Sequence, residues 1–371
     1  MRASQFLALA LVSPAFAAED DGFTSIFNGN DLSGWVNVNC APETWGAKDG
    51  VLTCTGKPTG ALRTEKQYEN FIFQCEWRHL TSGGNAGVFV WASPISWPGV
   101  PFLRAIEVQV LDHGFGQSKS HTTHGDVFPI HGSTMVPFGR SNGMRSFPSE
   151  ERSKASPEWN HYRIEAKDGV LRLSVNGKEV SGGEKCDWRK GYLALESEGA
   201  PVEWRNLRLK ELPSSGAKPE ESAPEAEGHR ALYNGADLRG WTTESPERWK
   251  ASDWRLIQTP GEGKELKPMV LKTVEEFGDC EIIFDYRLPK QAPAEAEAIF
   301  NIRGTSIPYK ANLQGEWTRA AITIKGTTAT YSVGSERETK SLPALPTKGP
   351  IGLGGFGGTA IEFANIYVRE L

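Results

Sequence analysis

The chain has no surplus of basic residues. Its 41 Lys and Arg stand against 46 Asp and Glu, a net charge of -5, which removes the electrostatic footprint of a nucleic-acid binder. It also lacks a long hydrophobic run: the most apolar stretch, Phe6 to Val12, is too short to span a bilayer, so no transmembrane segment is expected. Cysteine is scarce, and the five present cannot all pair within one chain. Extended helical periodicity is rare as well. Against these absences stand 40 Gly, 23 Pro and 12 Trp in 371 residues, the composition of an all-β protein rich in turns and long enough for two domains.

Residues 1–17 read as a secretory signal. Arg2 supplies the positive start, Phe6 to Val12 the apolar segment, and Ala15-Phe16-Ala17 the cleavage site. A mature protein beginning near Ala18, exported to the periplasm or beyond, is the expectation. Export permits disulfides. Cys75 and Cys280 alternate with core-type aromatics and are expected as free thiols, whereas Cys40 and Cys186 fall in loops and are candidates for a bridge.

An internal repeat divides the chain. Phe27-Asn28-Gly29-Asn30-Asp31-Leu32-Ser33-Gly34-Trp35 returns as Tyr233-Asn234-Gly235-Ala236-Asp237-Leu238-Arg239-Gly240-Trp241, and the blocks from Trp45, Tyr68 and Val202 return in order from Trp249, Phe277 and Ile361. Residues 22–212 and 229–371 are thus two copies of one domain. Residues 213–228, rich in Pro, Ser, Ala and Glu, have the composition of a solvated linker. Within the first copy, Asp168-Gly169 and Asn176-Gly177 punctuate alternating strands as hairpin turns. Many short strands with such turns, in a domain larger than an immunoglobulin one, predict a jelly roll with a concave face.

The copies differ most where chemistry would sit. Ala105 to Asp112 reads as a strand with Ile106, Val108 and Val110 on one face and Glu107 and Gln109 on the other. It leads into a long excursion holding His113, His121, His124 and His131, expected either as a lid over Glu107 or as cover for a sheet edge. Neither the Glu-x-Gln strand nor the excursion has an evident counterpart in the second copy. There Gly354 and Phe356 align with Glu196 and Glu198, so that copy is expected to be non-catalytic. The His-Thr-Thr-His spacing with His131 and Asp112 offers metal ligands, but in a loop without a Cys pair it predicts no metal, and no cofactor is expected. Arg78 and Asn85 are candidates to bind sugar hydroxyls, with Trp91 as a stacking platform and His124, His131 and Glu196 as further substrate contacts.

Taken in order, these blocks (FNGNDLSGW, WGAKDGVL, SGGNAGVF, IEVQVLD, EWN and VEWRNLRLKEL) resemble the 3-keto-disaccharide hydrolase family. The resemblance implies two tandem concanavalin A-like jelly rolls and cleavage of glycosides whose sugar carries a 3-ketone. Glu107, Gln109 and Asp112 match the family's Glu-x-Gln strand and its following Asp. Trp91 and Glu198-Gly199 depart from its usual Arg and His-Gly. A ketone acidifies the adjacent C–H, so that the glycosidic oxygen leaves by elimination and water then adds. Such chemistry needs a base, a donor for the enolate oxygen and an acid for the leaving group. Glu107 or His113 would be the base, Asp112 would orient His113, and Gln109, Arg78 and Asn85 would steady the enolate or hold hydroxyls. The rival reading is a lectin-like module that binds carbohydrate without cleaving it, and a contact between the two jelly rolls is left open.

Overall fold

The computed structural model describes residues 22–260, 268–292, 297–310, 315–334, 336–356 and 360–371. The signal segment expected at 1–17 lies outside them. Each copy is a sandwich of two antiparallel sheets. In the first, the back sheet runs Val136–Pro137, Lys178–Glu184, Val170–Val175, Asn160–Lys167, Phe71–His79, Val202–Glu211, Val51–Cys54, Trp45–Lys48. The front sheet runs Ser141–Asn142, Arg145–Ser146, Val127–Ile130, Ala105–Leu111, Asn85–Ala92, Gly191–Ser197, Gly60–Tyr68, Trp35–Val38. Inward-facing Phe73, Trp77, Val88, Val108, Ile164, Leu195 and Trp204 fill the space between them, each at most 2% exposed. The period-2 alternation of the sequence therefore maps directly onto core and outer face.

The long excursion does two things. Val127–Ile130 and Arg145–Ser146 extend the front sheet beyond Ala105–Leu111, and Val136–Pro137 pairs with Lys178–Glu184 at the edge of the back sheet. It closes the open edge of the sandwich, and it also brings Arg145 to Gln109.

The second copy repeats this topology. Its front sheet runs Trp241–Thr242, Pro268–Phe277, Gly349–Phe356, Glu297–Ile302, Thr305–Lys310. The Glu107 strand thus does have a counterpart, Thr305–Lys310, which sequence alone did not reveal because its side chains differ. Through the pairing of Phe300 with Leu353 and Ile307, Ser306 and Pro308 stand in register where Glu107 and Gln109 stand in the first copy.

The two sandwiches are joined face to face. Phe89, Ala105, Tyr192 and Ala194, on the outer side of the first copy's front sheet, cluster with Tyr367 of the second copy's large sheet. The joint holds a buried polar knot: Asp285 accepts hydrogen bonds from Gly99 N (2.8 Å), Asn365 Nδ2 (2.6 Å) and Arg319, while Asn39 Nδ2 donates to Asn365 Oδ1 (2.7 Å). Nor is the connecting segment loose. Gln67 Nε2 donates to Ala223 O and Pro224 O, Ala226 N donates to the Tyr192 hydroxyl, and Arg189 bonds Ser215, Gly216 and Glu221. Composition predicted solvation here, but backbone groups, which composition does not register, strap the segment to the first copy.

The Cys40–Cys186 bridge does not form; all five cysteines are buried and free. Cys40 packs on Pro58 O, whereas the Cys186 amide bonds Gly169 O at a hairpin turn, so the fold separates them.

Candidate active site

The half of the front-sheet face left uncovered by the second copy carries three carboxyl groups. Glu107 comes from the strand Ala105–Leu111, and Glu196 and Glu198 project from alternate positions along Gly191 to Glu198. Between these strands lies Asn85–Ala92, which contributes Gly87 at the point where they meet. A Cβ there would lie 3.0 Å from Glu107 Oε1 and 3.1 Å from Glu196 Oε2. The missing side chain is the space in which the two carboxyl groups converge.

Burial is deep for such groups: Glu107 is 7% exposed and Glu196 2%. Desolvation, and then the Glu198 charge, push Glu107 up to about 8. Desolvation, then the charges of Glu107 and Glu198, hold Glu196 well above the carboxylate range. Glu196 Oε2 has no hydrogen-bond partner. Glu198 is less buried and opens toward solvent. Burial raises it too, opposed by hydrogen bonds from Asn85 and Glu196. Burial and mutual repulsion thus push all three carboxyl groups toward the protonated form, and Glu198 is the one whose hydrogen bonds oppose that push.

A directed chain of donors ends on Glu198. Arg145 Nη1 donates to Gln109 Oε1 (3.4 Å), Gln109 Nε2 donates to Asn85 Oδ1 (2.8 Å), and Asn85 Nδ2 donates to Glu198 Oε2 (2.5 Å). Arg145 arrives on the excursion, stacks its guanidinium 3.3 Å from the Phe128 ring centroid, and pairs with fully buried Asp126 (3.1 Å). Asp126 is itself fixed by the amide and hydroxyl of Thr122. The amide pair Gln109 and Asn85 thus joins the cation to the carboxylate.

Other expected site residues lie elsewhere. Arg78 sits on the back sheet, where alternation turns it outward, and it bonds Glu203 (2.8 Å) and stacks on Trp159. Trp91 is 1% exposed in the core with Nε1 on Glu69 O, so it offers no platform. Asp112 does not orient His113. Its carboxylate accepts the amides of Gly83, Gly114 and Ser156, which organise the turn after the strand and, against the upward push of burial, hold it low. His113 Nε2 and His124 Nδ1 both meet Ser153 Oγ, at 2.9 and 3.0 Å, and the two rings contact edge to face. Since Ser153 Oγ donates to Thr123 O, both imidazoles donate to it; His124 Nε2 meets Gln117 Nε2 at 2.7 Å and lies 3.3 Å from Glu151 Oε1. His131 stacks instead on Phe102. Among the described residues no three His, Cys, Asp or Glu side chains converge as a metal site.

Sequence reading missed Gly87, Arg145, Asp126 and the role of Glu198. Glu198 carried a signal, since it follows Glu196 at the strand period. Arg145 carried none, because only tertiary folding of the excursion brings it to Gln109.

The fold and this face define a jelly roll of the carbohydrate-active kind. Residues 22–210 match the 3-keto-alpha-glucoside-1,2-lyase-like domain, and the chain belongs to that family. No curated protein matches the chain at a significant level. Among solved structures, a putative glycosyl hydrolase from Parabacteroides distasonis ATCC 8503 is 21% identical and covers 52% of this chain and 95% of its own, with a TM-score of 0.39. A second from the same organism is 19% identical, covers 51% and 99%, and also scores 0.39. The carbohydrate binding module CBM66 from Bacillus subtilis is 12% identical, covers 49% and 97%, and scores 0.36.

Proposed function

We propose that the first copy cleaves glycosides of 3-keto sugars by elimination and hydration, and that the protein is exported to meet them. The observation that carries this reading is the convergence of Glu107 and Glu196 over Gly87 beside the half-buried Glu198. Elimination next to a ketone needs a base strong enough to take a carbon-bound proton and neutral acids close by.

Glu198, its basicity raised by burial, accepts the C2 proton. The electron pair moves into the enolate, whose oxygen receives a hydrogen bond from one of the protonated carboxyls, Glu107 or Glu196. The C1–O bond then breaks, and the other carboxyl protonates the leaving oxygen. Water adds to the C1=C2 bond of the glycal, giving the free 3-keto sugar. Arg145 supplies a fixed positive charge through Gln109 and Asn85, which holds Glu198 in place for the step. The second copy, with Ser306, Pro308, Gly354 and Phe356 at the matching positions, has no such set and acts as a wall.

The test compares 3-keto-glucosides with their unoxidised parents, with Glu198→Gln as control. Release of aglycone from the keto form alone, lost in the variant, supports the reading. Sugar binding without release from either form would make the protein a carbohydrate-binding module instead.

A further inference from the structure

The second copy does more than cover one end of the sheet. Beside Glu198 the chain turns at Gly199, and the amide of Gly199 donates to Gly56 O (2.6 Å), while Ser197 Oγ donates to Pro58 O (2.9 Å). The segment Lys57 to Thr59 is therefore fixed against the end of the Glu198 strand. Onto this same segment the second copy places two of its own turns.

One is the hairpin turn at Asp253, between Trp249–Ser252 and Arg255–Gln258. Asp253 adopts a φ of 54°, and its carboxylate accepts both the amide and the hydroxyl of Thr59, each at 2.8 Å. The other is the repeat loop Asn234 to Asp237. A Cβ at Gly235 would lie 2.6 Å from Pro58 Cγ and 2.7 Å from Asn39 O, so only glycine lets this loop seat. In the first copy the equivalent Gly29 has only Gly50 Cα nearby, at 3.4 Å. The same loop has become a docking element in the second copy alone.

These turns do not close the gap. A cleft of about 520 Å³ remains between Lys57, Thr59 and Gly199 on one side and Gly235, Ala236 and Asp253 on the other, within the range of small-ligand pockets. Its polar groups are an ammonium, a hydroxyl and a carboxylate, the mixture of donors and acceptors that sugar hydroxyls use. Lys57 is exposed at the mouth of this cleft, where its ammonium can reach a bound ligand.

We propose that this cleft between the copies is the leaving-group subsite, which holds the second sugar of a disaccharide while the 3-keto unit lies over Gly87. The inference rests on the elimination reading given above. It assigns the second copy a place in substrate recognition: without Asp253 and the 234–237 loop, half the subsite is missing.

The test uses the full chain. Kinetics are measured on a 3-keto-disaccharide and on the methyl glycoside of the same 3-keto sugar, which lacks the second ring. Ala236→Trp fills the cleft and Asp253→Asn removes its charge while keeping an acceptor for Thr59. Each is expected to lower the disaccharide-to-methyl-glycoside ratio of kcat/KM at least tenfold, chiefly through KM, with unchanged circular dichroism and Tm. An unchanged ratio in a folded, active Ala236→Trp protein overturns the subsite. If the parent protein cleaves neither sugar, the elimination reading fails by itself. The subsite is then judged by calorimetry: tighter binding of the disaccharide, weakened by Ala236→Trp, supports it, and equal binding of both sugars rejects it.

Discussion

Glu107 and Glu196 face one another across Gly87, with Oε1 of one and Oε2 of the other 3.0 and 3.1 Å from the place a Cβ would take. Two buried carboxyl groups this close cannot both ionise at neutral pH. Their protons are a property of the strand order, because Asn85–Ala92 lies between the strands that supply them. Gly87→Ala is therefore expected to reduce turnover at least tenfold. Its backbone suits any residue, so Tm should move by only a few degrees, and kcat measured beside thermal unfolding separates the two effects.

Stability should depend on pH in a defined direction. The native protein keeps a proton on Glu107 up to about pH 8, whereas the unfolded chain releases it near the ordinary carboxyl value of 4.5. The stabilisation of the neutral form is complete below about 4.5 and is lost as pH rises to about 8, at up to about 1.4 kcal/mol per pH unit for each such carboxyl. Chemical denaturation between pH 5 and 8 should show falling stability in the parent protein and a shallower slope in Glu107→Gln.

Arg145 joins the excursion to the site. Arg145→Ala leaves Asp126 buried without its cation and Gln109 without its donor, a loss of about 1–3 kcal/mol given that Arg145 is partly exposed. Activity should fall further than stability, and Arg145→Lys should restore folding more fully than kcat, since an ammonium cannot both stack on Phe128 and span Gln109 and Asp126.

How far the sequence disclosed this site follows from the physics of each residue. Alternation placed Glu107 and Gln109 on one face and the repeat displayed two sandwiches, because strand period and turn chemistry are local. Trp91 misled, since a tryptophan reads the same in a core and on a platform. Arg78 misled for a related reason: alternation gives a face but not which of two sheets owns it. Asp112 was legible as important and illegible in role, because its partners are backbone amides from three separate turns. Arg145 and Asp253 depend on long-range folding and left no local trace.

The joint between the copies makes a separate prediction. Asp285 is fully buried and collects Gly99, Arg319 and Asn365. Asp285→Ala strands the Arg319 cation at the interface and should uncouple the sandwiches. Differential scanning calorimetry would then show two transitions where the parent protein shows one, and the disaccharide preference should weaken with them.

The most direct measurement is cleavage of a 3-keto-glucoside in D₂O, with the sugar product read by NMR. Proton abstraction by Glu198 followed by hydration predicts one deuterium at C2 of the released 3-keto sugar, no cleavage of the unoxidised glucoside, and loss of both release and labelling in Glu198→Gln. Release of an unlabelled sugar, or equal cleavage of the unoxidised glucoside, would contradict elimination and leave the three carboxyl groups to a direct displacement at C1.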